Sequence, residues 1–146
     1  MRVVAIITLL LATTPALTHA GSPAGLWQTF DDDTHAPKAL VRIEDHAGIV
    51  SGRIVKLFSA PGDDPNPHCA DCRGERRDKP VLGMGILWNF RRDGDHWAGG
   101  EVLDPESGDI YRATLHPRDD GATLVVHGYI GIPLLGRSQI WTRAAN

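Results

Sequence analysis

Cys69 and Cys72 are the only cysteines of the chain, and they stand three positions apart in the run Cys69-Ala70-Asp71-Cys72. Two cysteines at this spacing can form a local disulfide, ligate a metal with other side chains, or carry out thiol–disulfide exchange. In a protein that leaves the cytoplasm, an even number of cysteines favours a structural disulfide. Because that disulfide would close a very short loop, it would add about 2 kcal/mol or less to stability.

A redox site is one alternative for the two cysteines. Three arginines follow them closely, at Arg73, Arg76 and Arg77. Positive charges of this kind stabilise a thiolate, as reactive cysteines require. However, the sequence shows no βαβ unit of the type that carries thioredoxin-like sites.

A zinc site is the other alternative. His68 and the two cysteines could supply three ligands, and the fourth would come from one of the neighbouring aspartates Asp63, Asp64 and Asp71. Structural zinc sites usually contain a second closely spaced ligand pair, which this chain lacks. We therefore expect a non-catalytic disulfide between Cys69 and Cys72, with neither a metal nor another cofactor.

No set of residues predicts a hydrolytic or phosphate-transferring enzyme. The serines Ser51, Ser59, Ser107 and Ser138 lack the glycine context of a nucleophile elbow. The segment from Gly131 to Gly136 is apolar and lacks the Lys-Ser/Thr ending of a phosphate-binding loop. We name no catalytic residue, and the sequence favours a non-enzymatic protein.

The first twenty residues have the three parts of a signal peptide. Arg2 gives a positive start, Val3–Ala12 is an apolar run broken only by Thr8, and Thr18 and Ala20 are the small residues that a signal peptidase requires. The apolar run is far shorter than the roughly 20 residues that cross a bilayer. The sequence thus predicts a cleaved signal peptide at residues 1–20, no membrane span, and a periplasmic or secreted protein.

The charge of residues 21–146 argues against a nucleic-acid partner. This segment contains 14 basic and 18 acidic side chains, a formal charge of −4, because Arg2 is the one charged residue before it. Nucleic-acid-binding domains instead show a basic face. The length suits a single domain, and nothing in the sequence indicates its oligomeric state.

Turn signals divide residues 21–146 into short, regular runs rich in β-branched and aromatic residues. Such spacing is typical of an antiparallel meander of strands. The eight predicted strands are Leu26–Thr29, Ala39–Asp45, Ile49–Leu57, Gly85–Arg91, His96–Leu103, Ile110–His116, Thr123–Ile130 and Ser138–Arg143.

Alternation within these runs indicates strands with one buried face. Val41 and Ile43 alternate with Arg42 and Glu44, as in a half-buried strand. Closing the meander removes its exposed edges, so we expect an all-β, up-and-down barrel of about eight strands. A barrel of this size is filled by side chains or holds one small ligand.

Two segments depart from the strand pattern. Ser59–Lys79 is a long loop with three prolines and the cysteine pair, and loops of this length are usually functional or disordered. The connection between the last two strands is apolar, with Ile130, Ile132, Leu134 and Leu135. It could form a lid or a contact surface. We expect instead a buried plug, because a small barrel needs covered ends.

Three blocks of sequence together resemble one family. They are Gly25-Leu26-Trp27, the run from Cys69 to Pro80, and the run from Gly128 to Arg143, and they extend across nearly all of residues 21–146. They are similar to the exported bacterial proteins of domain-of-unknown-function family 2147 (DUF2147). The resemblance implies a small lipocalin-like barrel and supplies no activity.

A looser similarity concerns lipocalins in general. Lipocalins begin with Gly-x-Trp on the first strand and carry a basic residue near the end of the last strand, which lies over that Trp. Gly25, Trp27 and Arg143 stand in the matching places of this chain. The resemblance implies a cation–π contact that closes one barrel end, with Trp141 on the same strand face as Arg143.

Two functions agree with this pattern. The first is a binding module for a small apolar ligand, held inside the barrel or at its mouth. The aromatic side chains expected to line that site are Trp88, Phe90, Trp97, Tyr111 and Tyr129. The alternative is a structural or envelope-associated interaction domain with a solid barrel, in which the Ser59–Lys79 loop is the contact surface.

Overall fold

The computed structural model describes residues 21–146, so the expected signal peptide at residues 1–20 lies outside the described residues. The regular secondary structure of the described residues consists of strands and three short 3-10 turns, and no helix there is long and apolar enough to cross a membrane. The strands are β1 (Gly25–Phe30), β2 (Pro37–His46), β3 (Ile49–Leu57), β4 (Gly85–Asp93), β5 (His96–Leu103), β6 (Ile110–Arg118), β7 (Thr123–Tyr129) and β8 (Arg137–Arg143).

The strands form one closed antiparallel barrel in chain order. The barrel closes where β8 pairs with β1 through Trp27 opposite Arg143 and Gln28 opposite Thr142. The eight-stranded up-and-down barrel expected from the sequence is therefore confirmed. Its strands agree with the predicted runs, apart from one or two residues at half of their ends.

Alternation along the strands fills the barrel. Trp27 on β1 is paired with Val41 on β2, and both are completely buried. Arg42, the next residue of β2, is partly exposed. Inward side chains from all eight strands join one continuous buried cluster. Burial of large side chains is the main favourable contribution to folding. The largest fully buried members of this cluster are Trp27, Phe90, Ile43, Leu87, Leu115 and Leu124.

The alternation is interrupted in β4 and β5. Asn89 has a φ of 64° and Gly99 a φ of 75°, both in the left-handed region. An extra residue of this kind bends the strand and shifts which side chains face inward. Leu87 and Phe90 are consequently both buried although three positions separate them.

The two ends of the barrel differ in their connections. The closed end, as we call it, carries the short hairpins after β2, β4 and β6, together with the start of β1 and the end of β8. The loop end carries the longer connections 31–36, 58–84, 104–109 and 130–136. Both segments that depart from the strand pattern thus lie at the loop end.

Candidate functional site

The closed end is sealed by Arg143 and the segment that precedes β1. The guanidinium carbon of Arg143 lies 4.2 Å from the centroid of the buried Trp27 ring. The Trp27 indole N–H donates to the Pro23 carbonyl at 2.7 Å. Arg143 also donates at 2.5 to 3.1 Å to the backbone carbonyls of Ser22, Ala24 and Gly121. One cation thus holds the chain across this end of the barrel.

The Gly-x-Trp pattern has a physical reason here. Gly25 has a φ of 141°, and a Cβ at this position would collide with the Arg143 guanidinium. Trp141 is buried opposite Leu124, two residues before Arg143 on the inward side of β8. Its indole N–H donates to the Gln139 side chain at 3.1 Å. The three residues expected at the barrel closure therefore lie on its inward side, with Trp27 and Arg143 in contact.

Cys69 and Cys72 form the expected disulfide, and both are buried. In this oxidised form neither sulfur is a thiolate that could ligate zinc. Backbone hydrogen bonds from Cys69 to Lys79 and from Asp78 to Cys69 fold the loop onto itself. A Cβ on Gly108 would collide with the Asp71 backbone, so the 104–109 turn packs directly against the disulfide loop.

The disulfide loop covers the outer wall of β4 and β5. Leu87 pairs with Val102 on the inward side, so Ile86, Trp88 and Leu103 face outward. Ile86 and Leu103 are nevertheless buried and belong to the same cluster as the two cysteines. The Arg76 guanidinium lies 4.5 Å from the centroid of the Trp88 ring. The loop therefore adds a second buried layer outside the barrel.

We expect the loss of the disulfide to loosen this layer and leave the barrel folded. Replacing both Cys69 and Cys72 by alanine should lower the free energy of unfolding by about 1–3 kcal/mol, because the closed loop is short and the sites are buried. Urea unfolding followed by circular dichroism measures the change. Replacement by serine should cost more, since it buries two hydroxyls. Equal stability of the alanine variant and the wild type would contradict this packing.

The five aromatic residues expected to line a ligand site do not share one face. Phe90 and Trp97 are buried inside the barrel, and Tyr111 faces inward near the loop end, half-buried. Trp88 lies on the outer wall, with its indole N–H donating to Glu101 at 2.8 Å. Tyr129 also faces outward, since the intervening Gly128 pairs with the buried Ala113. Trp88 and Tyr129 thus cannot line an interior site.

The apolar connection between β7 and β8 is not a buried plug, so that expectation was wrong. We call residues 130–135 the apolar tip. Its aliphatic side chains are 54–87% exposed, and they belong to Ile130, Ile132, Leu134 and Leu135. The plug is unnecessary because side chains inside the barrel and the disulfide loop outside it already bury the core.

The apolar tip is held in a fixed conformation. One ring nitrogen of His127, Nε2, lies 2.7 Å from the Pro133 carbonyl, and the other, Nδ1, lies 2.7 Å from the Ser138 hydroxyl. A carbonyl only accepts, so Nε2 carries the proton and donates to Pro133. A Cβ on Gly136 would collide with the Gly128 carbonyl. The exposed side chains of the tip thus lie on a turn that is held by hydrogen bonds and close packing.

Two concavities of the described residues lie outside the barrel. The first, which we call the outer groove, has a volume of about 350 Å³. Its polar lining includes Arg42, Glu44, His46, Ser51, Arg53 and Arg76, and its floor contains Gly52, Gly83 and Gly85. The second, of about 370 Å³, shares Arg76, Gly83 and Gly85 with it. Neither is an interior cavity of the kind a lipocalin ligand would occupy.

A histidine pair lies on the outer wall near the closed end. The rings of His96 and His116 are stacked with centroids 4.8 Å apart. Burial lowers the pKa of His116 below its ordinary value, and the nearby His96 and Arg118 lower it further, while Asp95 opposes them. His127 adds a smaller lowering effect.

The lowered pKa of His116 predicts a dependence of stability on pH. The unfolded chain binds a proton at His116 more readily than the folded protein does. The stability associated with neutral His116 is therefore fully present above the unfolded pKa of about 6.5 and is lost as pH falls through the folded pKa. Thermal unfolding between about pH 7.5 and 5.5 should show this loss, and His116→Gln should reduce the slope. His35→Asn, in an exposed loop, is the control. An unchanged slope in His116→Gln would contradict the assignment.

The closed barrel of eight strands, with an N-terminal Gly-x-Trp under a C-terminal arginine, defines a lipocalin-like fold. The chain belongs to the family of uncharacterized proteins conserved in bacteria (DUF2147), whose model matches residues 25–143. Among solved structures it is similar to protein HP1028 from the human pathogen Helicobacter pylori, described as belonging to the lipocalin family. The TM-score is 0.72 at 16% identity, over 86% of this chain and 84% of that one. No curated protein matches the sequence.

Proposed function

We propose that the protein is an exported, non-enzymatic interaction module whose barrel is a rigid scaffold and whose apolar tip binds a protein partner in the cell envelope. The observation that carries the proposal is the exposure of four aliphatic side chains on one braced turn. Exposed apolar patches on soluble domains commonly mark interaction sites. Export, with cleavage before Gly21, is part of the proposal and is supported by the signal-peptide pattern and the disulfide.

The packing of the barrel supports a scaffold more than a container. Phe90 and Trp97, which were expected to line a ligand site, are instead packed against the buried cluster. Gly100 faces the Phe90 ring so closely that even a methyl group would not fit. An apolar ligand inside the barrel would have to displace these side chains. A small-ligand module therefore remains the alternative, with Tyr111 at the loop end as its nearest lining residue.

The charges around the apolar tip indicate the chemistry of the partner. No charged residue lies between Gly128 and Gly136. Beside the tip, Asp32 accepts hydrogen bonds from Gln139 and lies 3.3 Å from Arg137, and the neighbouring Asp31 and Asp33 are also acidic. An anionic bilayer surface would be repelled by this acidic rim. A protein partner with an apolar pocket and a basic rim would complement the apolar tip and the acidic residues beside it.

The long loop contributes only part of the expected contact surface. The half that contains Cys69 and Cys72 is packed against the outer wall. The half from Ser59 to Asn66 is exposed at the loop end and carries Asp63 and Asp64. We assign the aliphatic side chains of the tip as the anchor, since desolvated side chains at the centre of an interface carry most of its affinity.

Site-specific photo-cross-linking in intact cells tests the proposal. A photoreactive amino acid replaces Leu134 in the tip, or Ile140, which is 62% exposed on the outer face of β8. We expect one protein adduct of defined mass from position 134 and none from position 140. Adding Ile132→Ser and Leu135→Ser should abolish the adduct without changing thermal stability. Identical adducts from both positions, an adduct with a second copy of this chain, or reaction only with lipid would overturn the assigned partner.

A further inference from the structure

We propose that the outer groove is a binding site for a small organic anion that carries a carboxylate or phosphate group, with Arg76 as its principal ligand. The site is separate from the apolar tip and does not depend on the function proposed for it. It lies on the outer wall over β2, β3 and β4, where β3 and β4 pair irregularly.

Arg76 is held in place without a carboxylate partner. Its guanidinium lies 4.5 Å from the centroid of the Trp88 ring, and the Trp88 ring is fixed by its hydrogen bond to Glu101. Within residues 21–146, Arg76 takes part in no salt bridge. Stacking on an aromatic face leaves the N–H groups at the edge of a guanidinium free. A planar fork of donors that is already oriented suits an oxyanion, which it can bind through two hydrogen bonds.

The charge of the groove is opposite to that of the protein. Three arginines line the groove, at Arg42, Arg53 and Arg76, against one carboxylate at Glu44. Arg53 donates to Glu44 at 3.2 Å and lowers the pKa of Glu44, while Arg42 donates to the Asn146 side chain. The groove is therefore locally positive in a domain whose formal charge is −4. Such a local field concentrates anions at the surface.

The floor of the groove leaves space for the ligand. A Cβ on Gly83 or Gly85 would meet no atom within 4 Å. The volume of about 350 Å³ lies at the lower end of the range of small-molecule sites. It suits a single acidic or phosphorylated ring better than a chain of them. Ser51 and His46 on the walls can contact the hydroxyl groups of such a ring.

Titration followed by NMR tests the site. The probes are glucose 6-phosphate, glucuronate, inorganic phosphate and neutral glucose, and the reporter is the Trp88 indole N–H signal. We expect saturable shifts with glucose 6-phosphate or glucuronate at concentrations up to about 10 mM, and none with glucose. A response to glucose 6-phosphate and inorganic phosphate but not to glucuronate would identify phosphate as the group recognised, and a response to glucuronate alone would identify the carboxylate.

The matched variants are Arg76→Gln and Arg73→Gln. Both residues belong to the same loop, but Arg73 is exposed and lines neither groove. Arg76→Gln should weaken binding at least tenfold, and Arg73→Gln should leave it unchanged. Equal weakening by both variants, shifts with glucose as large as with the anions, or no shift with any anion would overturn the proposal. Because the probe comparison uses the wild-type protein, it decides the question even if Arg76→Gln folds poorly.

Discussion

Replacing Gly100 by alanine should strongly destabilise the protein. A Cβ at this position would lie 2.5 Å from two atoms of the Phe90 ring and 2.6 Å from the Trp88 carbonyl oxygen. Neither neighbour can move freely, because Phe90 is completely buried and the carbonyl belongs to β4. We expect a loss of about 3 kcal/mol or more in the free energy of unfolding, or failure to fold.

Gly85→Ala is the control for Gly100→Ala. Both glycines lie on strands of the same barrel, but a Cβ on Gly85 would meet no atom within 4 Å. Its replacement should change stability by less than about 1 kcal/mol. Urea unfolding monitored by tryptophan fluorescence compares the two variants. A Gly100→Ala variant as stable as Gly85→Ala would mean that the barrel interior has free space beside Phe90.

Replacing Arg143 by alanine should lower the free energy of unfolding by about 2 kcal/mol or more, with no change in strand content. The variant loses the contact with Trp27, worth about 0.5–2 kcal/mol, and the hydrogen bonds to three backbone carbonyls. Because those carbonyls hold residues 22–24 across the barrel, the closed end should also become more open to hydrogen exchange.

A double-mutant cycle separates the two parts of the Arg143 effect. Trp27→Phe removes the indole N–H and weakens the cation–π contact, and its coupling to Arg143→Ala should be about 0.5–1 kcal/mol. Arg137→Ala is the control, since Arg137 lies on the same strand and its side chain forms an exposed salt bridge with Asp32. Zero coupling between positions 27 and 143, or an equal loss from Arg137→Ala, would show that the closed end is not held by Arg143.

The barrel and its closed end could be predicted because they follow from local rules. Val41 and Ile43 alternate with polar residues, so the sequence itself indicates which face of β2 is buried. The order of Gly25, Trp27 and Arg143 along the chain pointed to the pairing of β1 with β8, where Trp27 and Arg143 are in contact. The disulfide followed from spacing and expected export. In each case the residues that allow the prediction lie within a few positions of one another or at the two ends of the meander.

The site residues could not be predicted with the same rules. Trp88 and Phe90 are two positions apart, and strict alternation would place them on one face. Asn89, which lies between them in the left-handed region, reverses that alternation. An asparagine within a strand does not by itself predict a positive φ. Likewise, the exposure of Leu134 and Leu135 depends on how fully other side chains already bury the core, which is a property of the whole fold. The outer groove joins residues from three strands and a loop, so no short motif marks it.

Native mass spectrometry of the protein purified from its own cell envelope tests the central claim most directly, namely that the barrel is a solid scaffold that works through its outer surface. We expect the mass of residues 21–146 with the disulfide intact and no apolar molecule retained. A lipophilic fluorescent probe added to the same material should show no saturable binding that depends on Phe90 or Trp97. An apolar molecule bound at a one-to-one ratio, and displaced by replacing Trp97 with alanine, would contradict the claim and establish the barrel interior as the binding site.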